Sequence, residues 1–221
     1  MTDVTPLFVK EFNQTVESVE NFLVIARSSI LQMEAVEAIR VAAEKVMAEK
    51  ALAISAGDED YANLLLGCQC VAIALESEIK MWLHLKAEKP DNAWNELVSA
   101  QMASADAMRA HRGFSHLTQH IDRLEAIERL VFPPQVFISS GMIVGYQECS
   151  ICGGDYDECS HLVGKPYMGE FCHIVAREIS LDHVAIVKDP ADKRCRVERF
   201  SVEGGYRNRM TWQIEVESDE V

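Results

Sequence analysis

LVFPPQVFISSGMIV, residues 130–144, divides the chain. Adjacent prolines at Pro133 and Pro134 remove two backbone donors and clash with a preceding helical turn. A helix arriving from the N-terminal side therefore ends there. The residues that follow are rich in β-branched types and alternate loosely, as a strand does. The residues that precede hold almost no such run. The class expected is α+β: an antiparallel helical bundle over residues 1–131, then a small, mostly antiparallel β domain over residues 132–221.

Upstream, apolar residues recur at helical spacing from Val16 to Ala56: Val16, Val19, Phe22, Leu23, Ile30, Met33, Val36, Ile39, Val46 and Met47. As one helix this segment would be about 60 Å long, and Ser28-Ser29 marks a break in it. Gly57 is placed to end the helix and Asp58 to cap the next. That next helix, Glu59 to Ala87, carries Tyr61, Leu64, Leu65, Cys68, Val71, Leu75, Ile79 and Trp82 as its stripe. Asp91 is expected to cap a third, with Trp94, Leu97, Val98, Met102, Ala105 and Met108. Gly113 breaks it, and Ser115 is expected to cap a fourth, with Leu117, Ile121, Leu124, Ile127 and Leu130. Four amphipathic helices with short links bury their stripes against one another. The frequent alanines allow close approach or a second helical surface, which points to an oligomer.

Downstream, GEFCHIVAREISLDHVAIV (169–187), RCRVERFSV (194–202) and RMTWQIEVE (209–217) continue the strand character. Cys195, Val197 and Phe200 are expected on one side of their strand, and Met210, Trp212, Ile214 and Val216 on one side of the next. Gly204-Gly205 between them reads as a hairpin turn. Few or no helices are expected here.

Within this part lies CSICGGDYDECSH, residues 149–161. Cys149 and Cys152 have the two-residue gap that turns two sulfurs toward one centre, and Gly153-Gly154 relieves the crowding of that turn. Cys159 and His161 are two apart, so on an extended strand they face the same side. Together they make Cys₃His, a set suited to tetrahedral zinc. Soft thiolates argue against magnesium or calcium, and iron–sulfur clusters are usually held by four cysteines. Four protein ligands close the coordination sphere, whereas catalytic zinc keeps a position for water. The expectation is a structural zinc knuckle. Asp155, Asp157 and Glu158 read as solvent-facing loop acids. The seven cysteines form an odd set and are expected as thiols.

The same segment, CSICGGDYDECSHLVGKPYMGEFC followed by HVAIVKDPADKRCRV, resembles one found in bacteriophage head-morphogenesis and prohead-protease-like proteins. The matching positions are Cys149, Cys152, Cys159, His161, Gly164, Tyr167 and then Val184 to Ala191. The resemblance covers about 50 residues and leaves the helical part outside it. It implies a phage or prophage context and a metal-stabilised β module. No Ser/His pair stands at matching positions, so proteolysis is not carried over.

RAHRGFSH (109–116) offers a second candidate. Arg109 and His116 have the spacing seen in HEPN-type ribonucleases, which the segment resembles. That family's chemistry would have histidine move the 2′-hydroxyl proton and arginine stabilise the phosphate. The family's polar residue after the arginine is Ala110 here. A metal on His111, His116 and His120 is a further reading, although no Glu-x-x-His of the di-iron kind accompanies it. His84 reads as a partly buried or capping histidine. Lys193, Arg194, Arg196 and Arg209 form a locally basic patch that could meet an anionic partner. Arg194 and Arg196 are expected to share one strand face, opposite Cys195 and Val197. The rival readings are the polar side of a half-buried hairpin, or a contact with the protein's own acidic helical part.

The bulk composition narrows the classes. A formal charge of −14 over 221 residues keeps a protein soluble and disfavours unspecific binding to nucleic acid or anionic membrane. No apolar run reaches the roughly 18 residues of a membrane helix. No basic start followed by an apolar core opens the chain. A cytoplasmic setting is expected. The function expected is a non-enzymatic interaction or assembly protein with a structural zinc site. A protein partner or self-association is favoured over nucleic acid. The alternative is a HEPN-like ribonuclease using Arg109 and His116, with the zinc domain as targeting module.

Overall fold

A computed structural model describes residues 6–215. It shows the α+β layout. Five α-helices come first: α1 (Leu7–Glu20), α2 (Ser29–Ala56), α3 (Glu59–Lys86), α4 (Pro90–Ala110) and α5 (Thr118–Val131). Short 3₁₀ helices lie at Arg112–Leu117 and Tyr156–Glu158. The strands are β1 (Phe137–Cys149), β2 (Pro166–Tyr167), β3 (Glu170–Phe171), β4 (Ile174–Val187), β5 (Arg199–Val202), β6 (Gly205–Asn208) and β7 (Ile214–Glu215). Val216, expected on the last strand, lies outside the described residues.

The long first helix of the sequence reading is two helices. The break falls at residues 21–28, ending at the Ser28-Ser29 pair. It is held by Gln32, whose buried amide donates to the carbonyls of Phe22 (2.9 Å) and Val24 (3.0 Å). The stripe of α2 also differs from the expected one. Ala35, Ile39, Ala42, Val46 and Ala53 are buried, whereas Ile30, Met33 and Met47 are exposed. Small side chains let α2 lie close to α3, and the larger residues project from the other side.

The α2–α3 junction follows the sequence. Gly57 is left-handed at φ 73°, and the Asp58 carboxylate accepts from the Tyr61 N–H at 3.1 Å. Asp91 is not the cap of α4. Lys89 holds that position, and Pro90 opens the helix with a ring already set to helical φ. Ser115 is not a cap either, because it lies inside the 3₁₀ turn ahead of α5.

α3 is the central helix and is buried on most of its circumference. By length and composition alone it could cross a membrane, but 72% of its most apolar window is buried inside the fold. That is how the core helix of a bundle behaves. One buried cluster joins α1, α2 and α3 with Ala107, Ala110 and Phe114. A second is built from Met81, Trp82, Trp94, Leu97, Leu124 and Phe132, with Phe137 and Met210 packed against it. This second cluster carries the core from the helices into the β part. Trp94 sets its ring edge-on to Phe132 (5.4 Å) and stacks on Phe137 (6.3 Å).

The helices also bury one ionic group. Glu78 of α3 is fully buried, and the Arg123 guanidinium of α5 forks onto both its oxygens at 2.6 and 2.7 Å. Burial pushes the Glu78 carboxyl upward against Arg123, which favours the ionised form.

The β part is antiparallel but consists of three small sheets. β1 and β4 form a long two-stranded ribbon, β2 and β3 a minimal hairpin, and β5-β6-β7 a three-stranded sheet. The ribbon pairs Phe137 with Val187 at one end and Cys149 with Ile174 at the other. Its register shifts between Gly141 and Met142. The β5–β6 hairpin turns at Glu203-Gly204, one residue earlier than expected, and Gly205 already pairs with Val202; both glycines have positive φ.

The expected alternation around Cys195 is reversed. Cys195 is exposed and Arg196 is 4% exposed. Backbone bonds set that orientation: Cys195 O accepts from Ile138 N–H at 2.9 Å, and Val197 N–H donates to Val136 O at 2.8 Å. Arg196 is thereby turned toward α4.

Candidate metal centre

β1 delivers Cys149, fully buried, at its end. The chain then turns tightly. Gly153 N–H donates to Cys149 O at 2.8 Å, and Cys149 N–H donates to Gly154 O at 2.9 Å. Gly153 has φ 70° there, a conformation glycine adopts without cost. Asp155 then accepts from Asp157 N–H at 3.1 Å and starts the short 3₁₀ helix that leads to Cys159. Two tyrosine hydroxyls pin the following loop, Tyr156 to Val163 N–H at 3.2 Å and Tyr167 to Leu162 N–H at 3.0 Å.

The result brings Cys149, Cys152, Cys159 and His161 together, with one donor atom of each within 4.8 Å of all the others. This cluster could hold a metal ion. A tetrahedral zinc with these ligands needs donor separations of about 3.5–3.8 Å. The His161 ring stands edge-on to Tyr167 at 4.7 Å, and its Nδ1 is buried without a hydrogen-bond partner among the described residues. A buried polar atom without a partner is costly, and an ion at this centre would satisfy the ring. Burial works to raise the Cys149 thiol, but N–H groups of the turn and the neighbouring thiols hold it down at about 6. Such a sulfur is readily thiolate, the form that binds metal.

A further cysteine, not expected among the four ligands, lies beside the cluster. Cys172 is buried, and its Sγ lies 3.8 Å from that of Cys149. Two backbone bonds hold it there, from Cys172 N–H to Lys165 O (2.9 Å) and from Gly164 N–H to Cys172 O (2.8 Å). Burial and the Cys149 sulfur push its thiol up to about 11. The sequence signal was its place just before the strand that returns to Cys149. Its distance along the chain from the CxxC pair concealed the link.

The knuckle rests on the helices. Gly169, left-handed at φ 78°, donates its N–H to Asn63 Oδ1 at 2.8 Å and accepts from Lys50 Nζ at 3.1 Å. A Cβ on Gly169 would meet Lys50 Cδ at 3.1 Å. The Arg109 guanidinium lies over the Phe171 ring at 5.9 Å and is ion-paired with Asp106. Arg109 thus sits at the junction of knuckle and bundle.

His116 lies elsewhere, with its ring against Gly113 O at 3.1 Å, in a groove of about 590 Å³ that Asp58, Asp60, His111 and Arg112 also line. The structure does not draw the three histidines of this region together. His111 accepts from Gly113 N–H and faces Asp60 at 3.6 Å. His120 is set 3.5 Å from Glu78. Burial, and then Arg123, push His120 down to about 4, so it is neutral near pH 7.

Each member of the basic patch has a partner within the chain. Lys193 bonds Glu128 at 2.7 Å, and Arg194 forks onto Asp192. Arg209 donates to Pro134 O at 3.3 Å. Arg196 pairs with Asp91 and lies 6.0 Å from the Trp94 ring centre. Arg194 and Arg196 do not share a face. Lys193 and Arg196 reach carboxylates of the protein's own helices.

No family model matches the chain, and no curated protein or solved structure does.

Proposed function

We propose that the chain is a non-catalytic interaction or assembly protein whose β part is stapled by a structural zinc ion on Cys149, Cys152, Cys159 and His161. The observation that carries this reading is the convergence of three sulfurs and one imidazole within 4.8 Å at the end of the β1–β4 ribbon. Four protein donors fill a tetrahedral ion and leave it no position for a reacting water. The ion then fixes the turn that joins the two longest strands. A phage or prophage setting, implied by the resemblance of the cysteine-rich segment, belongs to the same reading.

Anaerobically purified protein should contain about one zinc per chain by elemental analysis. X-ray absorption should show sulfur at about 2.3 Å and one imidazole nitrogen at about 2.0 Å. Protein that folds and carries no zinc would overturn the assignment.

A further inference from the structure

The β1–β4 ribbon has an apolar face that the chain itself leaves open. The register puts Ile138 beside Ile186, Ser140 beside Val184, Met142 beside Leu181, Val144 beside Ile179 and Tyr146 beside Arg177. Directly paired residues of an antiparallel ladder project on the same side, so these ten lie on one face, which Glu148 beside Val175 continues at the knuckle end. Six of them are large apolar residues that are mostly or substantially exposed: Ile186 77%, Leu181 68%, Val184 60%, Met142 53%, Ile179 51% and Tyr146 38%. Together they leave roughly 600 Å² of side chain in water, at the upper end of what the largest patch on a monomer carries. The opposite face, with Ser139, Gly141, Gly145, Gln147 and Glu178, carries Ile143 as its one large apolar residue more than half exposed.

A two-stranded ribbon is marginal in water on its own. This one is tied to the helices at both ends, through Phe137 on Trp94 at one and through the knuckle at the other. Its middle has no cover among the described residues.

We propose that the cover is a second copy of this chain, packed ribbon face to ribbon face about a two-fold axis. This rests on reading the chain as an interaction protein, and it names the partner.

Three observations favour a second copy. First, burying roughly 600 Å² on each of two chains removes about 1,200 Å² in all, the size of a stable specific interface. Second, a two-fold contact must complement itself. The one carboxylate paired into this face, Glu148 at the knuckle end, is bonded by the Arg177 guanidinium at 2.9 Å, so two copies of a chain with net charge −14 can meet here without unpaired acids facing each other. Third, the register shift at Gly141/Met142, with Asp182 as the extra residue, interrupts the ladder at mid-ribbon. Bulges of this kind blunt edge-to-edge strand addition. That leaves the face, rather than the edge, as the contact.

The test is the molar mass of the metal-loaded full chain by light scattering and sedimentation over a range of concentrations. The expected mass is twice the 24.8 kDa of one chain. Leu181→Glu should return the mass to that of a monomer, with zinc content and helical circular dichroism unchanged. Ile143→Glu, on the opposite face and 62% exposed, should leave the dimer intact. A monomeric wild type overturns the proposal, and so does a dimer that survives Leu181→Glu or is lost equally in Ile143→Glu. If Leu181→Glu fails to fold, a photo-crosslinker in place of Met142 must join two chains in the wild-type background, and its failure to do so is equally decisive against the proposal. Zinc measured on the same samples separates the two readings. A zinc-bearing monomer removes the dimer alone, and a folded dimer without zinc removes the metal staple alone.

Discussion

Arg196, whose side chain is wholly buried, closes onto Asp91 in the first turn of α4, across the line between β part and helical part. Gln135 at 3.5 Å and Glu198 at 3.6 Å complete its surroundings. Asp91 → Ala leaves that guanidinium buried with weaker partners. Breaking a buried pair costs about 3–5 kcal/mol, and the partial exposure of Asp91 lowers this to about 2–3 kcal/mol. Urea unfolding should show the loss as a lower midpoint. Arg196→Met paired with Asp91→Ala should recover part of it, since the double variant buries no unpaired charge.

The metal should control the ribbon more than the bundle. Metal binding in small modules is coupled to folding. Cys152→Ala should therefore abolish stoichiometric zinc and disorder residues near 145–170. The helical signal should persist, because the core of α1 to α5 is built from other side chains. Hydrogen exchange read by mass spectrometry checks this peptide by peptide. An equal loss of protection in α3 would contradict it.

His161 and the neighbouring Cys172 should not be equivalent. With His161 as the fourth ligand, His161→Gln should weaken zinc by more than 100-fold in competition with a chromophoric chelator. Cys172→Ser should act as the loss of a supporting neighbour, about 10-fold. The reverse order would make Cys172 the ligand and His161 its support.

Stability should fall in mild acid through His120. Its folded pKa, about 4, lies below the ordinary value of 6.5. Between those values the unfolded chain holds the extra proton, so stability present above pH 6.5 is lost as pH drops toward 4. The full effect is on the order of 3 kcal/mol. Glu78 acts in the opposite sense, because a raised carboxyl pKa keeps its proton longer in the fold. Comparing wild type with His120→Gln cancels that shared contribution. The variant should show the shallower decline of melting temperature between pH 6.5 and 4.

What could be read from the sequence was local. Gly57 and Asp58 announce their helix ends because each acts within one turn of itself. Pro133 and Pro134 close the helical part for the same reason. The CxxC and Cys-x-His pairs are visible because each is a near neighbour along the chain. What could not be read was decided at a distance. Arg196 turns inward because its partner, Asp91, is 105 residues away. α2 buries alanines in preference to Ile30 and Met33 because the closeness of α3, which no spacing in α2 encodes, favours small side chains. Cys172 comes beside Cys149 only because the chain returns there to enter β4, 23 residues later.

The two longest strands are joined by a 24-residue cysteine-rich loop instead of a tight turn. In an ordinary hairpin the turn type sets the register. Here the first rung, Cys149 opposite Ile174, lies beside the sulfur cluster. A slip of one residue in such a ribbon exchanges its two faces. An ion held at Cys149 would therefore proofread alignment, since a slipped strand would carry its sulfur to the wrong side. Loss of the ion would then yield a strand pair of ambiguous handedness toward its surroundings, even where every backbone hydrogen bond is remade.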